Sequence, residues 1–122
     1  MELYFGSVRG LNVQMKPHNL VTFAIPDIGV KFKAPFPADD IVLEYASLLT
    51  LLEFIDINPQ LFTNRTLELF SDNPDLVNQV NCSQVDREEL LPLLQKALEY
   101  QARLNYSIKW VADNPAGAAE ID

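Results

Sequence analysis

The sequence predicts an α/β domain with a mixed sheet, an antiparallel three-strand meander plus parallel strands, flanked by helices. Three observations predict it. The first third alternates short β-prone runs with turn residues. The remainder carries apolar residues at three- and four-residue spacing, the period of a helix. Single β-prone runs return between those helical segments. The resulting order is β-β-β, α, β, α, α, β and a short stub. Strands separated by helices add in parallel through right-handed crossovers, which makes the sheet mixed.

Leu3-Tyr4-Phe5, Leu11 to Met15, Leu20 to Ile25 and Val30 to Ala34 are the early β-prone runs. Arg9-Gly10, Lys16-Pro17-His18-Asn19 and Pro26-Asp27-Ile28-Gly29 separate them. Proline fixes φ, and glycine and asparagine tolerate positive φ, so these separators are turn chemistry. Arg9-Gly10 also fits a bulge inside one longer strand. Val30, Phe32 and Ala34 alternate with Lys31 and Lys33, the period of two expected of a sheet with one wet face. With Arg9, these lysines are expected to form at most a modest basic patch.

The period then changes. Asp39 or Asp40 caps a helix of about four turns whose inner face is Ile41, Tyr45, Leu48, Leu49, Leu52 and Ile55. Asn58-Pro59 ends it, and Thr66 to Phe70 forms a strand that stops at Ser71-Asp72-Asn73-Pro74. Pro74 or Asp75 opens a short helix through Val80. A second long helix is expected over Asp86 to Leu104, with Asp86 and Glu89 at capping-box spacing and Leu90, Leu94, Ala97, Leu98, Gln101 and Leu104 facing inward. Pro92 inside that pattern means a kink, or a helix that starts near Pro92. Tyr106 to Val111 is the last strand, and the Ala-rich tail from Ala112 has room for a short helix.

Composition narrows the function classes. The chain has 122 residues, 48% apolar and 21% charged, as in an ordinary single globular domain. Seventeen acids against nine Lys+Arg give a net charge of −8, which disfavours a general nucleic-acid binder because such proteins need clustered cations. Cys82 is the only cysteine, so no internal disulfide forms; with no His or basic cluster beside it, it reads as an inert, semi-buried thiol. Met1 to Phe5 lacks the basic and apolar regions of a secretion signal. Ile41 to Ile55 contains Glu44 and Glu53 and is shorter than the ~20 residues that cross a bilayer. A soluble, cytoplasmic protein without a membrane partner is expected.

Four segments together resemble the ribonuclease H-like family. Glu44-Tyr45-Ala46-Ser47-Leu48-Leu49 is similar to the family's first helix, where a glutamate opens an alanine- and leucine-rich run. Leu67 to Asn73 resembles its central strand, which ends on an aspartate turn. Leu76 to Asn81 resembles the short helix that follows, and Ile108 to Val111 with Asn114-Pro115-Ala116 resembles the last strand and the start of the final helix. The similarity runs over nearly the whole chain, 1–122, as one ribonuclease H-like domain with the last helix truncated or absent.

The resemblance implies cleavage of the RNA strand of an RNA–DNA hybrid by two divalent ions held between four acids. Such catalysis needs carboxylates converging on ions about 4 Å apart. Carried onto this chain, the helix glutamate is Glu44 and the central aspartate is Asp72. The first-strand aspartate would precede a Gly-Ser pair, and here Phe5 precedes Gly6-Ser7. The last aspartate would follow Asn-x-Ala, and here Gly117 follows Asn114-Pro115-Ala116. The family's assisting histidine near the last strand is missing, because His18 is the only histidine. Asp113, Glu120 or Asp122 could stand in for the last ligand, but none replaces a first-strand acid without rearrangement.

Plainer readings compete at each position. Glu44 on a helix's first turn is favoured by the helix dipole, and Asp72 before Asn73-Pro74 suits an Asx turn or a cap. His18 reads as a solvated loop residue and Trp110 as core on an inner strand. The expected function is therefore a catalytically inactive ribonuclease H-like domain that serves as an interaction or structural module, with no cofactor. Its expected partner is a protein or a second copy, since exposed strand edges pair with other chains. The alternative is a nuclease with a rearranged Mg²⁺ or Mn²⁺ site on Glu44 and Asp72. A non-catalytic nucleic-acid binder is the third reading, and the net charge disfavours it.

Overall fold

The computed structural model describes residues 1–10, 14, 19–38 and 40–118, with the backbone alone at 117 and 118. A five-stranded mixed sheet forms from β1 (Glu2–Val8), β2 (Leu20–Ile25), β3 (Val30–Pro35), β4 (Glu68–Ser71) and β5 (Ser107–Trp110), in the order β3-β2-β1-β4-β5. The meander β1-β2-β3 is antiparallel, while β4 and β5 add in parallel. The helices are α1 (Asp40–Ile57), α2 (Pro74–Cys82), α3 (Leu91–Leu104) and the single turn α4 (Pro115–Ala118). The fold class expected from the sequence is the one observed. Of the expected second run, Leu11 to Met15, only Gln14 is described, in a turn; the rest, with His18, lies outside the described residues.

Strand pleat decides which residues meet which layer. Leu3, Phe5 and Ser7 of β1 share a face with Val21, Phe23 and Ile25 of β2 and with Val30, Phe32 and Ala34 of β3. On this face Leu3, Phe5, Phe23, Ile25 and Leu69 join Tyr45, Leu48, Leu52 and Ile55 of α1 in the main core. α1 is buried over more than the expected stripe: Leu43, Glu44, Ala46, Ser47 and Leu51 are also inside, because the helix lies between the sheet and α3. Ile41 and Leu49, expected inward, are half-buried. The other face carries Tyr4, whose ring stacks on Phe70 at 5.3 Å, and Gly6, against which α4 rests. No helix among the described residues is long and apolar enough to cross a membrane.

Local chemistry corrects four expectations. Asp86 does not cap the long helix: residue 87 is extended, a 3-10 turn spans Glu88–Leu90, and α3 opens at Leu91 with Pro92 in its first turn. Proline fits that turn because its missing N–H would be unpaired there anyway. Tyr100, absent from the expected inner face, is buried on α3. Trp110 is not core; β5 is the outermost strand, and the indole is 55% exposed. Cys82 closes α2 and is exposed instead of semi-buried.

Candidate functional site

β1 and β4 run in parallel, so Gly6, Ser7, Ser71 and Asp72 gather at one end of the sheet. The first turns of α1 reach the same end. Asp40 begins α1 with a positive φ of 55°, which Asp tolerates better than most residues, and its Oδ1 accepts the Val42 N–H at 2.8 Å. Arg87 Nη1 donates to Asp40 Oδ2 at 3.1 Å, and Arg9 Nη2 donates to the Asp40 carbonyl at 2.6 Å. The Val42 amide, then Arg87 and Arg9, hold the Asp40 carboxyl below its usual range. Asp39 lies outside the described residues.

Glu44 sits in the second turn of α1, so the dipole at the helix start is not what places it. It is only 5% exposed and turns toward the sheet. Ser7 Oγ donates to its Oε1, and the Arg9 guanidinium stands 3.8 Å from the same oxygen. Oε2 is buried without a hydrogen-bond partner among the described residues. Burial pushes the Glu44 carboxyl above the ordinary carboxylate range, and the Asp72 charge adds to this; the Ser7 hydroxyl and Arg9 oppose it. One turn on, the buried Ser47 hydroxyl anchors α1 to the Gly6 carbonyl. Arg9 therefore belongs to Glu44 and Asp40 on the helix side, whereas Lys31 and Lys33 lie on the opposite face, and the expected basic patch does not form.

Asp72 is exposed, just past the end of β4. It is not the cap of the next helix: Asn73 is, accepting the Leu76 N–H at 3.0 Å, while Ser71 Oγ accepts the Asn73 N–H. The Asp72 carbonyl accepts the Trp110 indole N–H at 3.3 Å. Phe5 is fully buried on the same face as Ser7 and is part of the core. Gly117 falls within α4, against the opposite face of the sheet, and Asp113 before it is exposed. Asn114 Nδ2 donates to the Phe5 carbonyl at 2.7 Å, and its Oδ1 accepts the Ala116 N–H. A Cβ at Gly6 would stand 2.9 Å from that Nδ2, so this contact needs glycine. Glu120 and Asp122 lie outside the described residues.

The structure thus brings Glu44 and Asp72 toward one another at one sheet end, with Ser7 and Arg9 already on Glu44. This donor set does not fit a pair of Mg²⁺ ions, each of which takes six oxygens in near-octahedral geometry. One Glu44 oxygen is committed to Ser7, the other is enclosed, and the Phe5 ring supplies none. Among the described residues, no three His, Cys, Asp or Glu side chains converge as a metal cluster would. Neither Ser7 nor Arg9 is expected at this site from the sequence, where Arg9 suggests only a turn or bulge and a modest basic patch with Lys31 and Lys33. The 37-residue separation of Ser7 from Glu44 leaves no local signal of their bond.

No protein-family model matches the chain, and no curated protein sequence does. Solved structures do. LC11-RNase H1, isolated from compost by a metagenomic approach, is similar over 97% of this chain and 87% of its own, with 15% identity and a TM-score of 0.74. The same enzyme in complex with an RNA/DNA hybrid is similar over 90% of this chain and 83% of its own, at 14% identity and a TM-score of 0.69. RNase H1 from the halophilic archaeon Halobacterium salinarum NRC-1 is similar over 98% of this chain and 97% of its own, at 17% identity and a TM-score of 0.58. At these identities the likeness speaks to architecture, and with the strand order and helix placement above it identifies the chain as having the ribonuclease H-like fold.

Proposed function

We propose that this chain is a ribonuclease H-like domain that has lost two-metal nuclease activity and serves as a protein-interaction module. One observation carries the reading: Phe5 is wholly buried on the strand face that looks toward Glu44, which supports a ring standing where the family resemblance calls for a metal-binding acid. The net charge of −8 agrees, because a hybrid substrate is held largely through phosphate contacts. Its partner is a protein, either a second copy or another chain meeting an exposed strand edge, and no cofactor is required. The purified chain should leave a labelled RNA–DNA hybrid intact in Mg²⁺ and in Mn²⁺. Metal-dependent cleavage that disappears in Asp72→Asn overturns this reading.

A second reading has its own observation. The enclosed Oε2 of Glu44 is a carboxylate oxygen without a hydrogen-bond partner among the described residues, and it feels the charge of Asp72. A single Mn²⁺ recruited there would make a rearranged site. Calorimetric titration separates the two: tight Mn²⁺ binding abolished by Glu44→Gln supports the metal site, and no heat of binding removes it.

A further inference from the structure

The sheet has two edges, and β3 is the longer, with six residues against four in β5. Its hydrogen-bonding phase follows from the Phe36 N–H, which donates to the Asn19 carbonyl at 3.0 Å. Antiparallel pairs alternate between bonded and non-bonded. Counting back along the register, Ala34, Phe32 and Val30 bond to β2, and the backbone groups of Lys31, Lys33 and Pro35 point away from the sheet. Pro35 has no N–H, so Lys31 and Lys33 supply the outward donors, which no described residue accepts.

The side chains around that open edge are sorted by face. Lys31 and Lys33 stand exposed on one face, and neither forms an ion pair with a described residue. On the other face Phe32, stacked on Phe23, remains 37% exposed, and Phe36 just beyond is 38% exposed. α1 packs mainly over β1 and β2; on β3 it reaches Ala34 through Leu43 and Ala46, and Phe32 stays partly exposed. Phe36 also walls a groove between α1 and α3 floored by Val42, Leu49 and Leu93. In a chain of net charge −8, this edge carries two cations without an ion-pair partner among the described residues, above one apolar border.

The geometry points to β3 as a docking edge for an extended peptide segment of another protein in which acidic and apolar residues alternate. The segment adds a sixth strand, bonding to the backbone of Lys31 and Lys33. Its acids face the two ammonium groups and its apolar side chains cover Phe32 and Phe36. A second copy of this chain is the wrong occupant. Antiparallel self-pairing must set outward-bonding residues opposite each other, and every such register over this strand places a lysine against a lysine, or against Pro35. Lysine on an edge strand commonly blunts self-association. Here it also selects the sign of what binds.

This proposal rests on reading the chain as an interaction module, but not on the loss of catalysis: the hybrid-cleavage assay and the binding assay fail separately. The test uses a labelled peptide of alternating glutamate and valine, a matched peptide of alternating lysine and valine, and the full chain, followed by fluorescence anisotropy. The glutamate peptide binds and the lysine peptide does not. In K31E/K33E the preference inverts, each peptide shifting by about tenfold, in keeping with two reversed cross-strand charge pairs. Lys33→Pro, which removes an outward N–H, abolishes binding of the glutamate peptide while circular dichroism stays unchanged. Amide exchange slows at residues 31 and 33 in the bound state. Equal binding of both peptides, no binding, unchanged preference in K31E/K33E, or concentration-dependent self-association through β3 overturns the proposal.

Discussion

Two positions on β1, two residues apart and on the same face, have opposite characters. Phe5 is fully buried in an apolar core with Phe23, Tyr45 and Leu69 as fellow members. Ser7 spends its hydroxyl on Glu44, a carboxyl buried between helix and sheet with the Arg9 guanidinium 3.8 Å away. The dry position is held by area removed from water. The polar one keeps a carboxyl inside through specific partners, and one of its oxygens has no partner among the described residues. The boundary between them falls at the Gly6 backbone, whose carbonyl accepts from both Ser47 and Thr22. Had the first position carried an acid, the two would form one polar site. With Phe5 there, the core extends up to Glu44.

Breaking the dry side gives the largest effect. Phe5→Ala should destabilise the domain by about 3–5 kcal/mol, the usual cost of emptying a buried aromatic site, read as a lowered denaturation midpoint with an unchanged slope. If the cost falls below ~1 kcal/mol, Phe5 is not the core residue described here.

The polar side should respond more weakly and with pH. Ser7→Ala removes the one hydroxyl donor on Glu44 and should cost about 1–3 kcal/mol near pH 7. Burial raises the folded carboxyl above its unfolded value, so Glu44 contributes full stability only below the ordinary carboxylate range and loses it as pH rises through the folded pKa. The lost hydroxyl stabilises the ionised form, so the cost of Ser7→Ala should shrink as pH falls toward about 4. A pH-independent cost would mean that Ser7 acts by packing alone. Smallest is Arg87→Ala, whose pairs with Asp40 and Glu89 are solvent-exposed; urea denaturation should show only a slight lowering of the midpoint, diminishing in salt.

Much of the architecture was legible in local chemistry. The alternation of Val30, Phe32 and Ala34 with Lys31 and Lys33 is a strand pattern, and Asn58-Pro59 stops a helix wherever it occurs. Errors arose where more than one residue type could do a job. Asp72, Asn73 and Ser71 are all capping residues, and which one caps α2 depends on where β4 releases the chain. Trp110 has the same apolar character at the edge as in the middle, and only the strand order β3-β2-β1-β4-β5 places it outside. For the candidate site, Glu44 and Asp72 stood out by their settings, but the Ser7 hydroxyl and the Arg9 guanidinium did not.

By itself the sequence determined the mixed α/β class, the proline and asparagine stops, the acidic balance and the identity of the residue before Gly6-Ser7. These depend on bond rotation, hydrogen-bond donors and charge within a few residues, which travel with the chain in any fold. Only the tertiary structure decided that Glu44 is inside, that Ser7 and Arg9 hold it, that Trp110 is outside, and that Lys31 and Lys33 border an open edge. Burial and pairing across 37 residues are set by which surfaces remain once every strand has found its neighbour.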